Sequence, residues 1–183
     1  MRKKSLESFV FFFVLLFFAA GCGGGKQGSS EVSDAISNLP SDDYAKVRKS
    51  INAIDRNLND PNILASVEPL IAIAKDIDGT KDAYTRIMAV KVLALIGFNY
   101  RDTSEGGDAI DAIVYLLRHS HSGQVRTACA EVLGTNKYSP VKSDLEKALN
   151  DSSQIVQTQA CLALLRITDW KYSSPKCQAE QFR

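Results

Sequence analysis

Apolar positions recur at helical spacing along most of the chain, and the alternation typical of strands is hard to find. Between residues 41 and 58 the apolar side chains step by three or four positions, at Tyr44, Val47, Ile51, Ile54 and Leu58. This spacing predicts a helix with one apolar stripe, opened by Ser41 as its N-cap. The opposite face carries Lys46, Lys49 and Arg56, which we interpret as solvated.

The same periodicity predicts six further helices, over residues 63–74, 81–97, 109–117, 124–133, 140–149 and 153–168. Pro69 lies inside the first of these, so it should kink or split that segment. Residues 99–107 are interpreted as a loop, because Gly106 and Gly107 disfavour a helix and Asp108 can cap the one that follows. The chain is therefore predicted to be all-α.

An internal repeat links three of these helices. The segment 125–133 aligns with 156–164, which lies 31 residues later, and with 85–93, which lies 40 residues earlier. Small residues share one aligned position, at Ala89, Cys129 and Ala160, and leucines share another, at Leu93, Leu133 and Leu164. Stacked helices approach closely at small residues and fill a core with leucine, so the repeat predicts helix pairs that stack on one another.

The repeated residues resemble HEAT repeats, in particular the short class first named from phycobilisome lyases. Val125-Arg126 with Leu133-Gly134 is the best match, Arg86 and Leu93 match in part, and Gln157 stands where the family has Arg. The family's Asp before the second helix is present as Asp151 but is Ser120 and Thr80 in the other copies, so its Asp–Arg ladder is expected to be partial. The resemblance implies a short right-handed α-α superhelix over about residues 60–168. An irregular helical bundle is the alternative.

Such a solenoid has an extended surface suited to holding another macromolecule. Arg86, Arg126 and Gln157 begin the second helices, and we expect them to face a shared surface that contacts a protein partner. The alternative for all three is hydrogen bonding to neighbouring turns of the same chain. The terminal caps are assigned to the 44–58 helix and to a tail, residues 169–183, with Trp170, Tyr172 and Phe182.

The N-terminus has the layout of an export signal. Arg2, Lys3 and Lys4 precede an unbroken apolar run over residues 9–20. That run is shorter than the roughly 20 residues of a permanent membrane span. Residues 1–21 are therefore predicted to be a signal peptide.

Ala19-Ala20-Gly21-Cys22 resembles the lipobox of bacterial lipoproteins, in which the Cys thiol receives a lipid and becomes the mature N-terminus. The resemblance implies that Cys22 is lipidated and anchors the protein to a membrane; a plain signal-peptidase cut is the alternative. Gly23 stands where an Asp often favours inner-membrane retention, so the periplasmic side of the outer membrane is expected in a two-membrane cell, and otherwise the outer face of the plasma membrane. Residues 22–40, rich in Gly and Ser, are expected to be a flexible linker before a repeat domain at 41–168.

Net charge argues against a general polyanion binder. The chain has 22 Lys and Arg and 21 Asp and Glu, of which the leader holds three bases and one acid, so 19 and 20 remain on 162 residues. No basic footprint for nucleic acid is left.

No catalytic motif is recognised. His119 and His121 are the two histidines and lack the further ligands that a zinc site needs, so no metal site is predicted. The chain has no His-Glu pair, nucleophile elbow or phosphate loop. We expect a scaffold or adaptor in the bacterial envelope with no cofactor beyond the lipid. The alternative is an enzyme or enzyme subunit of the HEAT-like lyase type with an unrecognised site.

Three cysteines remain besides Cys22. Cys129 and Cys161 occupy apolar positions of the repeat, where buried thiols are expected. Cys177 lies in the tail and could fold back onto Cys161 to form a disulfide in an exported protein. We therefore hypothesise that Cys161 and Cys177 form a disulfide that fixes the C-terminal cap to the last helix.

Overall fold

A computed structural model of the chain describes residues 25–76 and 79–178. These residues form nine α-helices: α1 (Gly25–Asn38), α2 (Tyr44–Arg56), α3 (Val67–Lys75), α4 (Ala83–Asn99), α5 (Ser104–His119), α6 (Gly123–Thr135), α7 (Lys142–Ala148), α8 (Gln154–Ile167) and α9 (Pro175–Gln178). Two short 3-10 helices, Ile63–Ser66 and Ser139–Val141, precede α3 and α7. The described ranges contain no strand, as the periodicity predicted.

Consecutive helices pack as four pairs, in which α1, α3, α5 and α7 are the first helices and α2, α4, α6 and α8 the second helices. Each second helix contacts the second helix of the next pair, and α3, α5 and α7 contact one another in turn. The result is an α-solenoid, which confirms the predicted fold class.

The core is built from both layers, and part of it forms columns that run from one second helix to the next. The first column is Val47, Thr85, Val125 and Val156, all fully buried. The small residues and the leucines of the sequence repeat form two further columns, and each of these side chains is also fully buried. In α2 the position of the leucines is taken by the exposed Asp55, so the leucine column ends there. The first pair is thus the polar N-terminal cap of the stack.

The predicted linker is wrong for the described part of residues 22–40, because α1 occupies Gly25–Asn38. Val32, Ala35 and Leu39 of this segment are buried in the core, with Ile36 packed against them. These four apolar side chains follow helical spacing, and their burial against α2 outweighs the low helix propensity of the surrounding Gly and Ser. The N-terminal cap is accordingly the α1/α2 pair rather than a single helix.

Two helices also begin at positions that differ from those predicted. Asp43 rather than Ser41 caps α2, and its side chain accepts hydrogen bonds from the backbone N–H groups of Ala45 and Lys46. Gly106 and Gly107, which were expected to lie in a loop before Asp108, lie inside α5. Thr103 is the N-cap of this helix, and its side chain accepts a hydrogen bond from the N–H of Gly106. Gly106 packs directly against the backbone of Tyr100, where a Cβ would not fit. This glycine therefore serves close approach, not helix termination.

Pro69 splits its segment as predicted. The chain forms the 3-10 helix Ile63–Ser66 and then α3, in which Pro69 is the third residue. A proline is tolerated there because the N–H groups of the first helical turn have no intrahelical acceptor.

The C-terminal tail covers the end of the stack by a different set of residues from those predicted. Trp170 is 66% exposed and contributes no cap, Tyr172 is half-buried against the core, and Phe182 lies outside the described residues. Cys177 of α9 is buried and forms a disulfide with Cys161 of α8, with their Cα atoms 5.4 Å apart. None of the described helices is both long enough and apolar enough to cross a membrane.

Candidate functional site

An Arg or Gln follows the first buried column in every second helix, at Arg48, Arg86, Arg126 and Gln157. Together with their partners these side chains form a hydrogen-bonded ladder along the second helices. Its best-formed rung is Arg126, whose Nε and Nη2 donate to the two carboxylate oxygens of Asp151 at 2.8 and 2.7 Å. The third donor, Nη1, bonds the carbonyl oxygen of Ser120 at 2.6 Å. Arg126 therefore ties two successive inter-helix turns together.

Arg86 makes the preceding rung without a carboxylate. Its Nε donates to the carbonyl oxygen of Ala74 at 3.1 Å, and its Nη2 donates to the carbonyl of Lys75 and to Ser120 Oγ, both at 3.2 Å. Gln157 ends the ladder by donating from Nε2 to the carbonyl oxygen of Asp151 at 2.6 Å.

The structure thus places the three residues expected to contact a partner in hydrogen bonds within the chain, which was the alternative for all three. The Arg126 side chain is only 12% exposed and each of its terminal nitrogens is bonded. Because these donors are already engaged, their role in this structure is to fix neighbouring pairs relative to one another.

The first rung was missed in the sequence. Arg48 donates from Nη2 to Asp82 at 2.8 Å and from Nε to Thr85 Oγ1 at 2.9 Å. The dipeptide Val47-Arg48 repeats Val125-Arg126 and could have revealed it. Thr80 stands at the position where the family has Asp and cannot pair with Arg48 as a carboxylate would. Asp82, which is the N-cap of α4 and lies two residues later, supplies the carboxylate instead.

The ladder shifts the acidities of its members. Burial alone would raise the pKa of Asp82, but hydrogen bonds from Thr85 and Arg48 outweigh it and lower that pKa to about 2. Hydrogen bonds from Arg126 hold the pKa of Asp151 below its usual value against the opposing effect of burial. In return, Asp151 raises the pKa of Arg126. These are the signatures of structural ion pairs.

We expect Arg126→Met to lower the free energy of unfolding by about 2 kcal/mol at pH 7, because Asp151 would keep its burial and lose its charged partner. Asp151 has a depressed folded-state pKa, so its contribution is present above the unfolded-state value of about 3.9 and is lost as the pH falls through the lower folded-state value. The difference between wild type and variant should therefore shrink at about pH 3. Urea unfolding at both pH values measures it.

Arg56→Met is the matched control for this change. Arg56 lies 3.6 Å from Glu31 with both side chains half-exposed or more, so its loss should change stability by less than about 0.5 kcal/mol. A cost at Arg126 no larger than at Arg56, or one that stays constant down to pH 3, would contradict the structural role of the ladder.

A groove of about 710 Å³ lies across α4, α6 and the start of α8. Tyr84 of α4 and Ile155 of α8 lie at its two sides and are 61% and 67% exposed. Thr127 and Glu131 of α6 lie between them. We call this the second-helix groove. The ladder holds the three helices that build it.

The histidines and the free thiol offer no comparable site. The His119 ring lies 4.7 Å from the ring of Tyr115, and His121 is exposed in the turn before α6. Within residues 25–76 and 79–178 no three His, Cys, Asp or Glu side chains come close enough to hold a metal ion. Cys129 is a buried free thiol whose pKa burial raises far above its usual value, so it is not a nucleophile.

Comparison with known proteins agrees with the architecture. No curated protein matches the chain. The family described as HEAT repeats matches residues 67–165, which is more than half of the chain and runs from the start of α3 almost to the end of α8. The chain belongs to the HEAT-repeat family.

Proposed function

We propose that the protein is a membrane-anchored lipoprotein that presents a HEAT-repeat scaffold to a protein partner in the bacterial cell envelope. HEAT repeats form helical scaffolds for protein interaction, and the second-helix groove is the observation that carries the proposal for this chain. Its open shape and its exposed Tyr84 and Ile155 suit a protein surface better than a small molecule, which prefers a closed pocket.

The anchor in this proposal is a covalent lipid on Cys22, and no other cofactor is assigned. The signal peptide and Cys22 lie outside the described residues, so the assignment rests on the lipobox resemblance. The Cys161–Cys177 disulfide supports export, because disulfides persist in the periplasm and outside cells and are rare in the cytosol. We place the protein on the periplasmic side of the outer membrane, or on the outer face of the plasma membrane where there is one membrane.

The start of α1 changes how the anchor would hold the scaffold. The helix begins at Gly25, three residues after Cys22, where a flexible linker to residue 40 was expected. A tether of so few residues would keep the repeat domain next to the lipid surface rather than one linker length above it. A partner of the scaffold would then be held at the membrane.

No catalytic reaction is assigned. Every described aspartate whose pKa is clearly lowered is hydrogen-bonded to a cation: Asp82 to Arg48, Asp144 to Arg118, Asp151 to Arg126 and Asp169 to Lys137. Such perturbation is accounted for by ion pairs and needs no active site.

Site-specific crosslinking in cells tests the scaffold. A photoreactive amino acid at Thr127, within the second-helix groove, should capture a discrete protein, because Thr127 faces whatever the groove holds. The same group at Lys142, exposed on α7, is the matched control and should not capture that protein. Equal capture at both positions, or none at Thr127, would remove the groove as the interaction surface.

Lipidation has its own test. We expect Cys22→Ala to abolish fatty-acid labelling and to move the protein from the membrane to the soluble fraction, because the apolar leader is too short to anchor it permanently. Cell fractionation with metabolic labelling measures both. Cys129→Ala, which alters a buried cysteine instead, should keep the label and the membrane location. A labelled, membrane-bound Cys22→Ala protein would overturn the anchor.

A further inference from the structure

Charge is distributed very unevenly between the two layers of the solenoid. The four second helices carry two acidic residues, Asp55 and Glu131, and eight basic ones, Lys46, Arg48, Lys49, Arg56, Arg86, Lys91, Arg126 and Arg166. The four first helices carry eight acidic residues, Glu31, Asp34, Glu68, Glu105, Asp108, Asp111, Asp144 and Glu146, and five basic ones. A chain whose mature net charge is near zero therefore has one basic and one acidic layer.

The ladder neutralises only part of the basic layer. Arg48 and Arg126 are paired with Asp82 and Asp151, and Arg56 lies near Glu31. Lys46, Lys49 and Lys91 are exposed and belong to no ion pair in the part of the chain that the structure describes. Arg86 is bonded to carbonyl oxygens and a hydroxyl rather than to a carboxylate.

These free lysines lie on the same side of the solenoid as the groove. Counted from the first buried column, Lys46 of α2 occupies the position of Tyr84 in α4 and Ile155 in α8, and Lys49 occupies the position of Ile87. Lys91 itself lines the groove. The contact of the Arg48 guanidinium with the Tyr84 ring, 5.1 Å from its centroid, shows that α2 adjoins the Tyr84 side. The groove is thus adjoined on its Tyr84 side by α2, which carries two lysines without an ion pair among the described residues, Lys46 and Lys49.

We infer that the second-helix groove binds an acidic segment of a partner polypeptide, with carboxylates beside Lys46, Lys49 and Lys91 and apolar side chains against Tyr84 and Ile155. This rests on the proposed function and adds the chemistry of the partner. Three packed helices span about 20 Å, since neighbouring axes lie about 8–10 Å apart. That is the length of about six extended residues, and reaching Lys46 and Lys49 on α2 adds one more helix spacing, or about three residues. Complementary charge would raise the association rate and exclude basic competitors.

A polypeptide fits these features better than other anions. The groove has apolar side chains at both sides and one carboxylate, Glu131, in its wall, which would repel a uniformly anionic surface such as a lipid leaflet or a nucleic acid. A peptide can place its acids by the lysines and leave a neutral or basic residue near Glu131.

The test uses the purified, lipidated protein in detergent and a displayed library of random peptides of about twelve residues, twice the span of the groove. Selected peptides should be enriched in Asp and Glu together with aromatic or aliphatic residues. The best of them, made with a fluorescent label, should lose affinity about fivefold in Lys91→Glu by anisotropy, and should bind more weakly at higher salt. Lys142→Glu, which reverses an exposed lysine on α7, should leave the affinity unchanged.

The proposal is overturned if selection enriches basic or uncharged peptides or none, or if Lys91→Glu and Lys142→Glu weaken binding alike. It is also overturned if the unlipidated Cys22→Ala protein binds phosphatidylserine vesicles, Lys91→Glu abolishes that binding, and no acidic peptide competes with the vesicles. Crosslinking from Thr127 separates this failure from that of the scaffold. A protein captured at Thr127 while selected peptides lack acids removes the charge inference alone, whereas absence of capture removes the groove as the interaction surface.

Discussion

Gly134→Ala should lower the free energy of unfolding by about 3 kcal/mol, although the same change stabilises most helices. Gly134 lies in α6, and a Cβ built on it would be 2.5 Å from the Cα and 2.6 Å from the Cβ of Ala163 in α8. The first of these atoms belongs to the backbone, so no side-chain rotation relieves the overlap. The two helices would have to move apart, and the core between the last two pairs would lose contacts on both sides.

Gly107→Ala is the matched control, because nothing lies within 4 Å of a Cβ at that position in α5. This substitution should stabilise the protein by about 0.5–1 kcal/mol through the reduced freedom of the unfolded chain. Urea unfolding of both variants should therefore show changes in the free energy of unfolding of opposite sign relative to wild type. Stabilisation by both substitutions would mean that α6 and α8 are not in close contact at Gly134.

A looser contact between α6 and α8 would also change the shape of the second-helix groove. Ile155 at the start of α8 and Thr127 of α6 belong to its lining, and their spacing depends on how closely these helices pack. A Gly134→Ala protein that still folds should therefore show weaker crosslinking from Thr127 than wild type.

Local patterns predicted most of the helices and the columns of the core. The positions of Leu93, Leu133 and Leu164 could be aligned from the sequence because each lies at a fixed step from the Arg or Gln that opens its helix. Core filling at helical spacing is a local property of the chain. The same reasoning was sufficient to place the chain among helical repeats.

The failures share a cause, which is that the deciding contact is remote in sequence. Val32 and Leu39 follow helical spacing, but their Gly- and Ser-rich surroundings suggested a linker until packing against α2 was visible. The family's Asp is absent at Thr80, and Arg48 of the preceding pair bonds Asp82 instead, 34 residues away. Arg126 could be singled out from its pattern, but only its bidentate bond with Asp151 shows that its charge is used within the fold.

The groove could not be predicted at all from one sequence. It exists because the ladder and the close α6–α8 contact set three helices side by side, and neither relative position follows from periodicity. Its charge could have been noticed, since the acids and bases of the chain separate by helix. The separation of acids and bases can be assigned to two faces of the molecule only when the structure shows which helices form each layer.

Loss of the Cys161–Cys177 disulfide should lower the free energy of unfolding by about 3 kcal/mol, as expected for a bond that closes a loop of this length. The two cysteines are 16 residues apart, and both are buried where the tail covers α8. Without the bond the described part of the tail would retain weaker attachments, among them the Trp170 N–H to the Leu165 carbonyl at 2.6 Å, the ion pair of Asp169 with Lys137, the Lys176 ammonium to Asn150 and the Leu149 carbonyl, and the packing of Tyr172. The apolar side of α8 would then be exposed at the end of the stack.

A Cys161→Ser/Cys177→Ser variant measures this effect, and a dithiol reductant supplies the control. Reductant should bring the wild-type protein to the unfolding midpoint of the variant and should leave the variant unchanged, since Cys129, the remaining cysteine among the described residues, is buried and forms no disulfide. Equal midpoints for oxidised wild type and variant would show that the bond does not hold the cap. Mass spectrometry of non-reduced peptides from cells adds a second outcome. A linked Cys161–Cys177 pair is expected if the protein is exported, and free thiols in cells would contradict the disulfide and remove the support that it gives to export.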